Sequence, residues 1–412
     1  MHLLTMSTGQ PHPGARLSTN STGLQHEQRP SYEIRINGPY VGLLVTTAED
    51  DANILVRNWH TGETLYVSFF FLVCNGLAEG LHIKSTESAD NRRIASFVFF
   101  DASSILIALQ SDIVPSDVVS ISSQQGPRLE ITRFERDQEE RWCLLFPQLK
   151  DDEDFEAMLL TCEPGPVYVP PRNENAPFHI FDVDENGKGE RLIMLNVTLS
   201  RSDASLNVAI LSSRLRELLY AFRGVNDGAD WVEWQRWGAS STHMVATATA
   251  IWEGTWPCIT YGTKAIIMRP QGSNNIQVIV QDFSQLRAMW EHKRQDEDHE
   301  AYDRLGSPAL EVLGGNNGFS AHSWSQRTQQ AIFEGTLATQ LLYTQLVIPG
   351  RISRWDQVML SGDSIVVVKV SLTVKIHGRK FETLRISDRM GGGKQIDLMY
   401  ILFELTRPAA YL

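Results

Sequence analysis

The chain has 412 residues, and 42% of them are apolar, which is enough for a substantial buried core. Its 49 acidic and 37 basic side chains give a formal charge of −12, which argues against a nucleic-acid backbone or an anionic membrane as the main partner. The first residues lack the basic and apolar regions of a secretory signal, and the apolar run at 67–73 is too short to span a bilayer. We therefore expect a cytoplasmic or nuclear protein.

Two short segments, residues 2–10 and 55–63, look like copies of one strand-turn-strand unit. Each has an apolar-rich run followed by a Thr-Gly pair. These pairs are Thr8 and Gly9 in the first copy and Thr61 and Gly62 in the second. The glycine supplies the positive φ that a tight hairpin commonly needs. Copies of such a unit about 40 to 50 residues apart are typical of propeller blades. The first copy starts at residue 2, so we expect Met1 to fall inside a blade and the propeller to be incomplete at its N-terminus.

The second copy also contains a large aromatic residue. Trp59 stands where the first copy has Met6, another large apolar side chain. The matching positions predict that Trp59 is at least partly buried between neighbouring sheets.

Most of the chain is predicted to form short strands separated by turn residues. The predicted strands of the first half are residues 40–46, 54–59, 64–70, 94–100, 105–109, 128–135, 141–146, 178–183, 191–199 and 207–211. Those of the second half are 244–252, 258–261, 265–268, 276–281, 357–360, 364–370 and 381–386. One helix is predicted, over residues 212–222, because Leu215, Leu218, Leu219 and Phe222 share one side of it.

The strand pattern predicts an all-β fold, a WD- or kelch-like propeller array of antiparallel blades, over residues 32–386. Residues 1–31 are expected to hold a partial blade strand and a polar loop. A charged run and a glycine-rich run predict a long surface insertion at 290–325. Residues 387–412 form a predicted glycine-rich connector and tail, in which the apolar segment 396–405 fits either an edge strand or a tail.

The four cysteines are spaced too far apart for a paired metal motif. They are Cys74, Cys143, Cys162 and Cys258. This spacing favours neither zinc nor a disulfide framework, and it predicts buried free thiols.

Several short patterns resemble ligand sites but lack a required residue. Residues 182–187 copy the first half of a calcium loop, but Ile193 stands where a bidentate Glu is needed. Residues 391–394 suggest a phosphate loop, but Gln395 replaces the Ser or Thr expected after the lysine. The run 292–303 combines histidines with carboxylates and is typical of a solvated charged loop. We therefore predict no catalytic, cofactor-binding or metal-binding residues, no cofactor, and no enzyme activity.

Three tryptophans at intervals of three residues allow two interpretations. Trp231, Trp234 and Trp237 could form a hot spot that binds a partner. They could instead fill the space between sheets, as large aromatic side chains often do, and we favour this interpretation.

Residues 2–13 and 55–63 resemble the propeller region of F-box proteins of mushroom-type fungi. Further segments resemble landmarks of that family in the same order. They are residues 232–238, 259–262, 280–283, 341–343 and 358–365. The joint order of these segments, which covers most of the chain, carries the resemblance. It implies the substrate-recognition region of an SCF-type ubiquitin ligase receptor, with an unidentified protein as substrate.

The F-box itself, a small helical module that docks on a Skp-type adaptor, has no counterpart in this sequence. The adaptor is therefore an expected partner only if an F-box lies upstream.

Two functions from different classes follow from these observations. The first is a non-catalytic protein-interaction propeller, which presents loops from every blade as one composite surface. The alternative is a propeller-fold enzyme with a metal or polar site on the axis. A cluster of histidines and carboxylates at the axis would favour the enzyme, and an apolar, aromatic or merely charged face would favour binding.

Overall fold

The computed structural model describes roughly half of the chain. The described residues are 31–46, 52–67, 93–110, 126–134, 141–150, 153–163, 190–200, 204–222, 231–248, 259–271, 275–284, 311–313, 332–334, 341, 343–348, 352–353, 357–361, 364–376, 379–382 and 395–404. Most of them belong to β-strands, and the pairing is almost entirely antiparallel. The predicted all-β class is confirmed at this level.

The chain divides into two compact units. The first comprises Met1–Ala246 and Gly314–Leu341, and the second comprises Thr247–Leu313 and Leu342–Leu412.

The first sheet of unit 1 is a meander of four strands. They are β1 (Ser31–Asn37), β2 (Tyr40–Thr46), β3 (Ala52–Asn58) and β4 (Thr64–Val67). Each strand pairs antiparallel with the next one along the chain. The turn between β3 and β4 contains Gly62 with a φ of 77°, as the sequence predicts.

The second sheet repeats this plan. Its meander consists of β5 (Ile94–Phe99), β6 (Ser104–Leu109), β7 (Arg128–Arg133) and β8 (Arg141–Leu145). A short strand from later in the chain, β12 (Trp231–Val232), pairs parallel with β8 and extends the sheet.

The third sheet is formed by β9 (Phe155–Thr161), β10 (Leu192–Leu199), β11 (Ala204–Leu211) and β13 (Thr242–Ala248). Their order in the sheet is β9-β10-β11-β13, which follows the direction of the chain. Two helices, α1 (Ser212–Phe222) and α2 (Trp234–Ser241), are inserted between β11 and β13.

The three sheets of unit 1 stack through their apolar faces. Because side chains alternate along a strand, β5 and β6 present one apolar set to each neighbouring sheet. Phe97 and Ile105 pack with Ile54 of the first sheet, whereas Leu106 packs with Leu195 of the third sheet. The second sheet is therefore buried on both faces.

Unit 2 contains two sheets. The first consists of β14 (Thr260–Tyr261), β15 (Lys264–Gln271), β16 (Asn275–Asp282), β17 (Glu311–Leu313), β18 (Tyr343–Val347) and β19 (Ile352–Ser353). The second consists of β20 (Gln357–Ser361), β21 (Ser364–Ile376), β22 (Arg379–Glu382) and β23 (Gln395–Glu404). Apolar side chains of both sheets share one core, in which Ile266 and Val278 pack with Ile365 and Val367.

The structure differs from the sequence-based prediction at several elements. Helix α1 has the predicted bounds, but a second helix, α2, was not predicted. Strands β1 and β9 were also not predicted. The apolar segment 396–405, expected as an edge strand or a tail, contributes β23, which pairs with β21 over ten residues. Residues 311–313, within the predicted insertion, form β17. The first repeat at residues 2–10, with Thr8 and Gly9, and the predicted strand 178–183 lie outside the described residues.

Candidate functional site

The first strands of the three sheets in unit 1 meet through polar side chains. Arg35 of β1 donates hydrogen bonds to the Glu33 carboxylate, at 2.6 Å from Nη2, and to the carbonyl oxygen of Leu160 in β9, at 2.8 Å. Ser96 of β5 donates to Glu33 and accepts a 3.1 Å hydrogen bond from the Leu160 amide. These bonds connect β1, β5 and β9 directly.

Burial raises the pKa of Glu33, and the adjacent Arg35 guanidinium partly opposes this shift. Both oxygens of the carboxylate accept hydrogen bonds from Arg35 or Ser96. The Glu33 carboxylate and the Arg35 guanidinium thus form a hydrogen-bonded polar link, and the partly buried Glu163 carboxylate also interacts with Arg35.

Hydrogen bonds from Asn37 and Arg191, and one within the turn itself, stabilise the turn between β5 and β6. Asn37 donates a 3.2 Å hydrogen bond to the carbonyl oxygen of Asp101, and Arg191 donates to the carbonyl oxygen of Phe100. Within the turn, the Asp101 carboxylate accepts a 2.8 Å hydrogen bond from the backbone amide of Ser103. The turn therefore has a defined shape beside α1.

A pocket lies between this turn, the second sheet and α1. Its volume is about 40 Å³, enough for a few waters or one small charged group. The pocket is lined by Phe100, Asp101, Ser104, Ile131, Arg133, Trp142, Arg216, Leu219 and Tyr220. The lining thus contains two guanidinium groups and one carboxylate, together with aromatic side chains.

Arg216 lies in a locally positive environment. Its pKa is lowered by burial and by the nearby positive charge of Arg191, against the opposing attraction of Asp101. Its Nε donates a hydrogen bond of 3.3 Å to the carbonyl oxygen of Ser212, one turn earlier in α1. An additional negative charge in the pocket would stabilise the charged form of Arg216.

Arg133 and Arg216 are not among the candidate site residues that the sequence predicts. Arg133 is the last residue of β7, on the face where Leu129 and Ile131 are buried. An arginine at the end of an otherwise apolar strand face could have indicated a polar site at this position. Nothing in the sequence indicates that Arg216 lines the same pocket, because Arg133 belongs to β7 and Arg216 to α1, and only packing brings these elements together.

The three candidate tryptophans occupy different environments. Trp234 and Trp237 are buried in the core of unit 1, with ring centroids 4.8 Å apart, and Trp237 donates a 2.8 Å hydrogen bond to the carbonyl oxygen of Leu145. Trp231 is partly buried in β12, and the guanidinium carbon of Arg128 lies 4.6 Å from its ring centroid. The placement of Trp234 and Trp237 fits the packing interpretation.

Trp59 and Thr61 lie in the turn after β3. Trp59 is partly buried, and its indole nitrogen donates a 2.9 Å hydrogen bond to the carbonyl oxygen of Gly38. Its ring stacks on His60 with the centroids 3.6 Å apart. The residue was expected within a strand, facing a sheet interface, but it lies outside the strand and stabilises the turn. The amide of Thr61 donates to the Asn58 side chain at 3.1 Å.

Two of the four cysteines can be assessed. Cys143 and Cys162 are buried free thiols, as predicted. Cys74 and Cys258 lie outside the described residues, as do the charged run at 292–303 and the glycine-rich run at 391–394.

Two further features of the described residues concern metal sites and membrane spans. These residues contain no group of three or more His, Cys, Asp or Glu side chains that could hold a metal ion. Within the same part of the chain, no helix combines the length and the apolar character needed to cross a membrane. Ile193, the twelfth position of the calcium-like pattern, is buried in β10.

No family model matches this chain, and no curated protein or solved structure matches it either.

Proposed function

We propose that this protein is a non-catalytic protein-interaction module whose sheets are the blades of a β-propeller. Its role would correspond to the substrate-recognition region of an SCF-type F-box receptor of mushroom-type fungi, the family that the sequence resembles. The substrate is a protein, and the module works in the cytoplasm or nucleus. A Skp-type adaptor is a partner only through an F-box upstream of the residues discussed here.

The observation that carries this proposal is the serial arrangement of the sheets in unit 1. Three antiparallel sheets follow one another along the chain, and each stacks face to face on the next. The first strands β1, β5 and β9 are joined by hydrogen bonds through Arg35 and Ser96. In a propeller, the innermost strands of successive blades converge in this way around the axis.

The charges at this junction favour binding over catalysis. Glu33 is neutralised by Arg35, and no histidine is among the residues that join the three first strands there. The second candidate is the pocket beside α1, which combines charged and aromatic side chains and whose Asp101 carboxylate already accepts hydrogen bonds from Ser103. Such a surface suits recognition of a polypeptide.

The proposal can be tested by affinity capture with the full chain from extracts of a mushroom-forming fungus, followed by cross-linking mass spectrometry. We expect a retained protein whose cross-links map to loops of several sheets. Electron microscopy of the purified chain tests the architecture, for which a ring of radial sheets is expected. Parallel strands joined by helices, or turnover of a small molecule without any retained protein, would contradict the proposal.

A further inference from the structure

We propose that the pocket beside α1 binds one oxyanion, a carboxylate or a phosphate, carried by a side chain of the partner protein. This inference deepens the proposed function and rests on it for the nature of the partner. The shared chemistry is a negatively charged group with several acceptor oxygens, supplied by an acidic or a phosphorylated residue.

Two arginines in the pocket lining provide hydrogen-bond donors for an oxyanion. Arg133 comes from β7 and Arg216 from α1, so two separate elements bring guanidinium groups to one small cavity. A guanidinium presents its donors in a planar fork that matches the oxygens of a carboxylate or a phosphate. Two such groups in the lining of one pocket suit a single oxyanion.

The pocket lining contains more positive than negative side chains. Among the described residues that line the pocket, Asp101 carries the only carboxylate, against two arginines. Its Oδ1 atom already accepts hydrogen bonds from the amide and the hydroxyl of Ser103, at 2.8 and 3.3 Å. A third guanidinium, that of Arg191, lies near enough to lower the pKa of Arg216, although Arg191 also interacts with the partly buried carboxylate of Glu163. The lining therefore favours an added negative charge.

Aromatic side chains form part of the pocket wall. Trp142, Tyr220 and Phe100 line the same cavity, and Tyr220 is 65% exposed. Aromatic side chains supply contact area at low entropic cost, which suits a polypeptide whose charged residue enters the pocket while its neighbours lie on the rim. The volume of about 40 Å³ is enough for one small charged group.

The experiment compares three short fluorescent peptides that differ only in the central residue, which is phosphoserine, Glu or Gln, next to a phenylalanine. Binding to the full chain is measured by fluorescence anisotropy, with phenyl phosphate as a competitor. We expect at least one charged peptide to bind about tenfold or more tightly than the Gln peptide, because a charge-assisted hydrogen bond is stronger than a neutral one. The phosphoserine and Glu peptides distinguish the two sources of the oxyanion.

Two matched variants of α1 test whether the charged peptide binds at Arg216. Arg216→Gln should weaken binding of the charged peptide about tenfold. Arg214→Gln removes the same charge from the same helix, but its side chain is 49% exposed and pairs with Glu217, so binding should change by less than about twofold. Arg216→Lys keeps the charge and should restore part of the affinity. Thermal melting of each variant verifies that it folds.

Three results would overturn the inference. The first is equal binding of all three peptides, and the second is no binding of any peptide or of phenyl phosphate at millimolar concentration. The third is an equal loss for Arg214→Gln and Arg216→Gln. If the chain retains a protein partner and Arg216→Gln retains it equally well, the inference fails while the proposed function stands. If charged peptides bind but no protein is retained, the oxyanion site stands and the proposed function fails.

Discussion

The first and second sheets of unit 1 have similar strands but different surroundings. Side chains on both faces of β5 and β6 are buried, so the second sheet is covered on each side. In the first sheet, one face packs on the second sheet, but on the other face Ile34 and Ile36 of β1 are 49% and 60% exposed. An alternating pattern thus predicts a strand in both places, but it does not tell whether a neighbouring surface covers the apolar face.

The largest expected effect comes from the shared interface of the two sheets. Phe97 of β5 is fully buried against the first sheet. Phe97→Ala should lower the free energy of unfolding by about 3–5 kcal/mol, through lost burial and the cavity left behind. Chemical denaturation measures this loss. A Phe97→Ala variant as stable as the parent would mean that the two sheets do not stack as described.

The second prediction concerns how the burial of a histidine makes the stability of unit 1 depend on pH. His243 of β13 is buried, and burial lowers its pKa from 6.5 to about 4. The unfolded chain therefore binds this proton more readily, so stability is complete above about pH 6.5 and falls as the pH decreases toward 4. The loss over this window is about 3 kcal/mol. Denaturation curves across the window should show this slope in the parent and a flatter slope in His243→Gln. Identical slopes would contradict the assignment.

A third prediction probes how closely the two sheets approach. A Cβ atom added to Gly42 of β2 would lie 2.5 Å from Cε2 of Phe97. Gly42→Ala should therefore cost about 1–3 kcal/mol through overpacking. Gly126→Ala is the matched control, since its Cβ would meet no atom within 4 Å, and it should change stability by less than about 0.5 kcal/mol. In a double-mutant cycle, Phe97→Leu should relieve part of the cost of Gly42→Ala. Strict additivity of the two changes would exclude this contact.

The smallest effect is expected on the exposed face of the first sheet. Ile34→Thr keeps a β-branched residue at an exposed position, and it should change the free energy of unfolding by less than about 0.5 kcal/mol. Val45→Thr on the same face is the control, because Val45 is 1% exposed and its loss should cost clearly more. Denaturation of both variants in parallel measures the difference. Equal losses would show that β1 is covered like β2.

Much of the local structure could be predicted from the pattern of side chains. Predicted segments correspond to strands such as β2, β6 and β16, since alternation of apolar residues is a local property. The exceptions have physical reasons. Strand β9 exposes Glu156, Ala157 and Leu159 and so lacks a regular apolar alternation. Helix α2 has only eight residues and is stabilised by Trp234 and Trp237 in the core.

The pocket beside α1 could not be predicted from the sequence. Its residues come from the turn after β5, from β6, β7 and β8, and from α1, and packing brings them together, so no spacing along the chain relates Arg133 to Arg216. The tryptophans that stood out in the sequence instead belong in large part to the core.

The sequence by itself determined the all-β class, the turn at Gly62, the helix Ser212–Phe222 and the free thiols Cys143 and Cys162. Each of these depends on backbone preferences or on residue spacing within a few turns of chain. Only the tertiary structure decided which sheet is covered on both faces, that β23 pairs with β21, and that two arginines share a pocket. These features depend on contacts between residues far apart in the chain, and a local pattern does not specify them because one amphipathic strand can pack against many partners.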